Sequence, residues 1–458
     1  MMEKLIKIVF CLFFLSFFSI GKAQDRPNII FILTDDQRWD ALGFAGNDII
    51  QTPEMDRLAA EGTYFSHAIV TTPICAASRA SLLCGLYERT HGYTFQQGPF
   101  KEPFWKMSYP VLLQQHGYYT GFFGKIGVTY PAAENYFDQA ELYDRNNKYP
   151  DRRGYFYKTI GNDTVHLTRY TGQQALDFIN SAPGGKPFCL SLSFSAPHAH
   201  DPAEEQYFWQ DASDDLYNTT IPPPQLAEKK YFDDLPAPVR LGLNRERWYW
   251  RFDTPEKYQH SVKGYYRMIT EIDREITKIR QLLAEKGIAE NTVIMLMGDN
   301  GYYLGERQLA GKWLMHDNSI RVPLIIYDPR QDKPRQVDDM VLNIDIPYTI
   351  LSMAGAKVPG QYQGVNLQPY LNRGKHKQNR DHVLVEHLWN YDKIPSSEGI
   401  RSEKWKYFRY RLIDAPEELY NLQEDPRETK NLASEPKYQK VLEGMRSKCE
   451  KKILQYLP

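Results

Sequence analysis

The chain has little with which to stiffen itself covalently. It carries five cysteines in 458 residues: Cys11, Cys75, Cys84, Cys189 and Cys449. That is too few for a disulfide scaffold, and no C-x-x-C or Cys/His spacing points to zinc. Net charge is equally scarce, since 56 Lys and Arg against 57 Asp and Glu leave −1. No broad basic field exists to hold nucleic acid or an anionic membrane, so an anionic substrate must be met by local charge. Long apolar runs are missing too. The run at 8–20 follows Lys4 and Lys7 and is too short to span a bilayer. It fits a secretory signal peptide over 1–23, cut near Ala23 or Gln24, and Cys11 within it lacks a lipid-attachment context. The expected protein is exported, periplasmic or secreted, with no membrane span. Cys84 with Cys189 and Cys84 with Cys449 are both open as pairings.

What the chain does have is alternation. Its length suits one large domain with a smaller companion. Apolar runs rich in β-branched or aromatic residues, at 28–33, 119–123, 188–194, 292–297 and 322–327, alternate with amphipathic segments. That predicts an α/β fold, a mixed but mostly parallel sheet sandwiched by helices. Thr52, Pro53 and Gly62 read as N-cap, first turn and stop of one helix. Val262, Tyr265, Ile269, Ile272, Ile276, Ile279 and Leu283 recur at helical spacing, with Gly287 as stop. After about residue 374 the composition turns charged, aromatic and hairpin-like. A smaller α+β subdomain over 374–458 is expected behind a main domain over 24–373. Two stretches, 130–170 and 200–258, lack periodicity and are dense in Tyr, Trp, Phe, Asp and Pro. They are expected to rim a substrate cleft, and their aromatics suit a carbohydrate.

The polar residues fall where the apolar runs end. Leu33 leads into Thr34-Asp35-Asp36, Met297 into Gly298-Asp299-Asn300, Phe194 into Ser195-Ala196-Pro197-His198, and Phe123 into Gly124-Lys125. Ligands of open α/β sheets collect beyond the carboxyl ends of the strands, so these ends predict one site. Asp35, Asp36, Asp299 and Asn300 offer only oxygen as ligand, which selects a hard cation, Ca²⁺ before Mg²⁺. Adjacent carboxylates repel unless a cation binds them. Cys75 stands at the predicted start of a helix, four residues before Arg79. Backbone N–H groups and the helix dipole favour anions there. With Lys125, His198 and Lys312 the set describes a pocket for a tetrahedral oxyanion.

These segments are joined by Cys75-Ala76-Ala77-Ser78-Arg79, Leu304-Gly305-Glu306, Gly311-Lys312, Arg321-Val322-Pro323-Leu324 and Glu418-Leu419-Tyr420-Asn421-Leu422. Together they closely resemble the formylglycine-dependent type I sulfatases, in order, over nearly the whole chain. The resemblance implies an alkaline-phosphatase-like fold and hydrolysis of a sulfate ester on a saccharide. It implies that a formylglycine-generating or sulfatase-maturing enzyme converts Cys75 to formylglycine (3-oxoalanine). Hydrated to a diol, that group attacks sulfur with one hydroxyl, forming an enzyme-sulfate ester, and expels sulfate with the other. It further implies Ca²⁺ held by Asp35, Asp36, Asp299 and Asn300 with residue 75, and Arg79 orienting the diol. Lys125 and Lys312 would bind sulfate oxygens, and His198 would protonate the leaving alcohol.

Three positions depart from the family pattern. Lys125 is followed by Ile126-Gly127 where Lys-x-His is usual, so the histidine that helps release sulfate is missing. His200 and His316 are the replacements considered. Ala77 stands where Pro is commoner. Arg307 follows Glu306 where His is frequent. With His316, His200 and Trp313, Arg307 is expected to read the substrate, its fork suiting a sugar carboxylate or a second sulfate. Two other readings stay open: a phosphodiesterase or phosphonate monoesterase on this fold, and a non-catalytic sulfated-glycan binder.

Overall fold

The computed structural model describes residues 26–95, 97–144, 157–160, 162–201, 203–372 and 380–457. The expected signal peptide over 1–23 and the boundary at 373/374 fall outside the described residues. Among the described residues no helix is long and apolar enough to cross a membrane.

A nine-stranded sheet organises the chain. Its strands are β1 (Asn28–Thr34), β2 (Thr63–Ile69), β3 (Tyr119–Gly124), β4 (Gln139–Leu142), β5 (Phe188–Ser193), β6 (Thr292–Gly298), β7 (Arg321–Val322), β8 (Leu324–Tyr327) and β9 (Arg335–Leu342). From edge to edge the order is β9, β2, β7 with β8, β6, β1, β5, β3, β4. All pairs are parallel except those made by β7 and β8, which run as one strand interrupted at Pro323. β1 and β6 are buried at every position, which is why they read as unbroken apolar runs.

Alternate residues of each strand feed two separate cores. Ile29, Phe31, Leu33, Val293, Met295 and Met297 pack with α2 (Cys75–Cys84) and α6 (Asp345–Met353). Ile30, Ile32, Ile294 and Leu296 pack on the other side with α1 (Pro53–Glu61), α3 (Leu167–Ser181) and α5 (Pro255–Glu285). The apolar stripe expected from Val262 to Leu283 is the buried face of α5. Thr52 flanks α1 as expected, but its hydroxyl turns away. It donates to Asp56 while the Asp273 carboxylate accepts from the Glu54 and Met55 N–H groups.

The C-terminal part is an antiparallel sheet of β10 (His382–His387), β11 (Ser397–Ser402), β12 (Trp405–Tyr410) and β13 (Glu418–Asn421), followed by α7 (Gln439–Gln455). Val383, Val385, Ile400, Tyr407 and Phe408 share the first core with β1 and α2. The stretch 200–258 is more ordered than its sequence suggests, because it includes α4 (Leu243–Arg251) and two shorter helices. α4 lacks an apolar stripe because its buried face is polar: Asn244 and Arg247 pack on the turn at Gly311–Trp313. Residues 145–156, in the other aperiodic stretch, lie outside the described residues. Cys75, Cys84, Cys189 and Cys449 are buried and free, so neither expected pairing forms among the described residues.

Candidate active site

Parallel register brings four strand ends to one level. Thr34 of β1 lies opposite Gly298 of β6, Leu33 opposite Ser193 of β5, and Ser193 opposite Gly124 of β3. Just beyond, Asp299 N donates to Thr34 O at 2.9 Å, Asp35 N to Ala196 O at 3.0 Å and Lys125 N to Ser193 O at 2.9 Å. Asp35, Asp299 and Lys125 therefore leave the sheet together, within a few strand spacings of ~4.8 Å. Gly124 permits this approach, since a Cβ there would sit 2.1 Å from Ser193 O. β2 ends at the same edge, and the chain continues through Pro73 into α2, whose first residue is Cys75.

Arg79, one turn into α2, ties these ends together. Its Nε donates to Asp299 Oδ2 at 2.8 Å, and its Nη1 to Lys125 O and Ser193 Oγ, both at 2.5 Å. Its Nη2 faces Asp35 Oδ2 at 3.8 Å. Lys125 Nζ donates to Asp35 Oδ2 at 2.7 Å. Lys312 Nζ donates to Asp36 Oδ1 and lies 4.0 Å from Asp35 Oδ1. His198 Nε2 stands 3.6 Å from Asp36 Oδ2, while its Nδ1 faces Ala199 O, which only accepts. Nδ1 therefore carries a hydrogen, and Nε2 is the atom turned to the centre.

Three buried carboxylates thus meet three cations. Burial and the neighbouring Asp35 push the Asp299 carboxyl up to about 6. Burial opposes the Lys312 charge, but Asp36, Cys75 and Asp35 raise its ammonium above the ordinary value. Cys75 is buried within electrostatic reach of both Lys312 and Arg79. The centre meets solvent at His198 and at Asp144, which lies 3.4 Å from Lys125 Nζ. A cavity of about 510 Å³ lies apart, lined by Arg38, Trp39, Tyr258, Asp317 and Arg321; Cys75, Lys125, His198 and Lys312 do not line it.

The donor set fits a hard cation. Asp36 Oδ2 and Asn300 Oδ1 are buried without a hydrogen-bond donor, although they come from different strand ends. Asp299 accepts from Asp36 N at 3.0 Å and from Arg79, and its carboxylate has lone pairs to spare. Asp36 holds φ 70°, kept by Tyr265 Oη donating to its carbonyl at 2.7 Å. Buried acceptors converging from two strands are costly without a positive partner. Asp35, Asp36 and His198 each bring a ligand atom within 4.8 Å of the others. Imidazole suits softer metals, however, so the four oxygen donors fit Ca²⁺ or Mg²⁺ better than that trio does.

The structure gathers Asp35, Asp36, Cys75, Arg79, Lys125, His198, Asp299, Asn300 and Lys312. It does not gather the residues expected to read substrate. Arg307 has φ 53°, which turns its guanidinium toward the C-terminal subdomain, where Nη2 donates to Arg427 O at 2.5 Å and Glu428 O at 2.8 Å. It is a clasp between the two parts of the molecule. His316 is sealed between Tyr303 Oη, at 2.6 Å from Nδ1, and Glu418, at 3.7 Å from Nε2. Trp313 is buried, with Arg247 over its ring at 4.4 Å and Ile74 and Ala77 beside it. His200 is buried against Phe208, and its backbone N–H donates to Gln206 O at 2.7 Å.

At the place of the missing Lys-x-His histidine this chain leaves no room for a side chain. Gly127 adopts φ 75°, and a Cβ there would meet Arg79 Cδ at 2.2 Å. Reading the sequence overlooked three contributors. Ser193 accepts from Arg79 and donates to Lys125 O at 2.6 Å; a serine closing an apolar strand was the available signal. Tyr265, read as packing, supports Asp36. Asp144 has no local signal at all.

A family model described as "Sulfatase" matches residues 27–356, and one described as "N-sulphoglucosamine sulphohydrolase, C-terminal" matches 305–455. An N-acetylglucosamine-6-O-sulfatase of Bacteroides thetaiotaomicron is 26% identical over 94% of this chain and 87% of its own length. An arylsulfatase of Clostridium perfringens is 27% identical over 92% of this chain and 93% of its own length. A solved complex of a protein with its substrate D-glucosamine-2-N,6-O-disulfate superposes with TM-score 0.78 at 23% identity, covering 94% of this chain and 98% of that one. The phosphonate monoester hydrolase of Agrobacterium radiobacter does so with TM-score 0.75 at 22% identity, covering 94% and 96%. At those identities the two structures establish a common fold.

Proposed function

The chain belongs to the sulfatase family and is a sulfuric ester hydrolase, and from that premise we propose that it desulfates saccharides. One observation carries the reading: oxygen ligands, three cations and Cys75 converge on a single buried centre. Two relatives support the saccharide. One is named for the 6-O-sulfate of N-acetylglucosamine, and another was solved with a disulfated glucosamine.

In this reading Lys125 and Lys312 bind the sulfate oxygens and oppose the charge that grows on them during transfer. Arg79 cannot swing freely, since Asp299, Ser193 and Lys125 O hold it, so it orients the side chain at residue 75. His198 delivers the proton on Nε2 to the ester oxygen as the S–O bond breaks, and its Nδ1–H on Ala199 O keeps that edge inward. Asp35, Asp36, Asp299 and Asn300, with residue 75, would hold Ca²⁺. That ion would contribute polarisation of the sulfate, and formylglycine formed at position 75 would contribute the attacking hydroxyl. The apolar leader implies export to the periplasm or beyond, and the Cys75–Arg79 segment implies a maturing enzyme as partner.

The test is sulfate release, followed by ion chromatography, from sulfated mono- and disaccharides of defined linkage. 4-Nitrophenyl sulfate, 4-nitrophenyl phosphate and a phenylphosphonate monoester run alongside. Faster turnover of the sulfates is expected. Preference for the phosphonate would make it a phosphonate monoesterase, and binding without turnover in converted protein would make it a glycan binder. The peptide bearing residue 75 should weigh about 18 Da less than its thiol form, as aldehyde replaces CH₂SH.

A further inference from the structure

The C-terminal subdomain contributes to the apolar cluster beside Cys75. Ile74, just before α2, and Ala77, within its first turn, pack with Trp313 and with Ile394 from the segment that follows β10. Against that cluster lie Trp389 and Tyr391, rings stacked at 4.7 Å and 7°. Phe95 meets Trp389 edge-on at 5.3 Å and 63°. Trp389 and Tyr391 are half-buried, and Phe95 is 39% exposed. The segment is pinned at both ends. Leu388 N donates to Glu88 Oε2 at 3.1 Å, and Lys393 O accepts from Leu243 N at 2.8 Å.

An isolated exposed aromatic needs no explanation, but three together at one place do. Leaving them partly wet forgoes about 1–2 kcal/mol of burial apiece. A pinned loop has already given up the entropy that ordering would cost on binding. Trp and Tyr offer broad apolar faces with few rotatable bonds. The C–H face of a pyranose is the complementary surface, apolar across the ring and polar at its rim. Trp313, expected from sequence to touch substrate, lies behind this surface and braces it.

We propose that Trp389, backed by Tyr391 and edged by Phe95, is the platform on which the substrate's sugar ring lies while its sulfate reaches residue 75. The assignment rests on the saccharide reading above. Substrates with a hexopyranose bearing the ester fit it, and a short acyclic sulfate ester would gain nothing from it.

The test compares wild type with Trp389→Ala, Trp389→Phe and the exposed-site variant Phe95→Ala. The probes are a panel of sulfated hexosamines, galactoses and uronic acids, plus ethyl sulfate and inhibition by inorganic sulfate. Trp389→Ala should raise KM for the best sugar at least about 10-fold, the loss of one aromatic contact. Inhibition by sulfate and turnover of ethyl sulfate should be unchanged. Trp389→Phe should recover most of the loss, and Phe95→Ala should raise KM less. Unchanged KM in Trp389→Ala overturns the platform. So does an equal loss on ethyl sulfate, and so does a wild type that cleaves ethyl sulfate but binds no sugar. Should no ester turn over, tryptophan fluorescence on titrating the panel still decides: quenching by sugars that Trp389→Ala abolishes upholds the platform, while the sulfatase reading alone fails.

Discussion

Two buried clusters of acids and cations stand at either end of the segment from Lys312 to Asp317, and they behave in opposite ways. At the strand ends, Asp35, Asp36 and Asp299 meet Arg79, Lys125 and Lys312, yet buried acceptors on Asp36 and Asn300 go without a donor. Between the subdomains, Asp317 accepts from Arg401 at 3.1 and 3.0 Å and from Lys406 at 2.6 Å. Lys406 also pairs with Glu428, whose other oxygen accepts from Asp317 N. Burial and Asp35 push Asp299 up to about 6. Burial also opposes the charge on Asp317, but Arg401 and Lys406 hold it well below the usual carboxylate range. The materials are alike. One cluster crowds its acids so that a further cation is welcome, and the other neutralises them so that two parts of the chain stay together.

Four measurements test that contrast. The largest effect is expected for Asp299→Asn, with turnover falling on the order of 1,000-fold as a ligand and the Arg79 anchor change. The same variant should melt higher than wild type in chelator. With a folded value above the unfolded one, ionised Asp299 costs stability as pH rises from about 4 to about 6, and Asn removes that cost. A lower melting point than wild type in chelator would make Asp299 a strut like Asp317.

Next comes metal removal. EDTA should abolish sulfate release and Ca²⁺ should restore it, while unfolding of the subdomain interface stays cooperative. Retained activity after exhaustive chelation would empty the contrast of meaning. Third, Asp317→Asn should cost about 3–5 kcal/mol by leaving Lys406 and Arg401 partly unpaired, with turnover per folded molecule unchanged. Its stabilisation is present above about pH 4 and lost as the pH falls, so the variant's acid limb should flatten. Last, Arg307→Met should cost about 2 kcal/mol, since the Arg427 and Glu428 carbonyls lose their donor. KM for sulfated sugars should stay put; a rise would return Arg307 to the substrate.

How far the site could be read from sequence depended on where each side chain's direction comes from. Asp35, Asp299, Lys125 and His198 follow buried strands, and parallel register sends whatever follows such strands to one edge. Cys75 and Arg79 share a helical turn, so their proximity was local. Arg307, Trp313 and His316 stand in a turn with φ of 53° at Arg307 and 81° at Trp313. Left-handed residues redirect side chains in a manner that residue type does not announce. Neighbouring positions in that turn accordingly serve different purposes: Lys312 enters the centre, Trp313 braces its wall, and His316 faces Glu418. Gly127 had a legible absence, a histidine missing from its place, but that Arg79 leaves no room for a Cβ there is visible only in three dimensions.

The sequence by itself determined the apolar strands β1, β3, β5, β6 and β7 with β8 and the chemistry available at their ends, though not β2, β4 or β9, because burial on both faces and strand polarity are one-dimensional constraints. Only the tertiary structure decided which cations face Cys75 and which clasp the C-terminal subdomain. It alone brought Trp389 and Tyr391, from the far end of the chain, against the cluster of Ile74, Ala77 and Trp313 beside Cys75. Coulomb energy and aromatic contact depend on separation in space, and packing of the two cores set those separations.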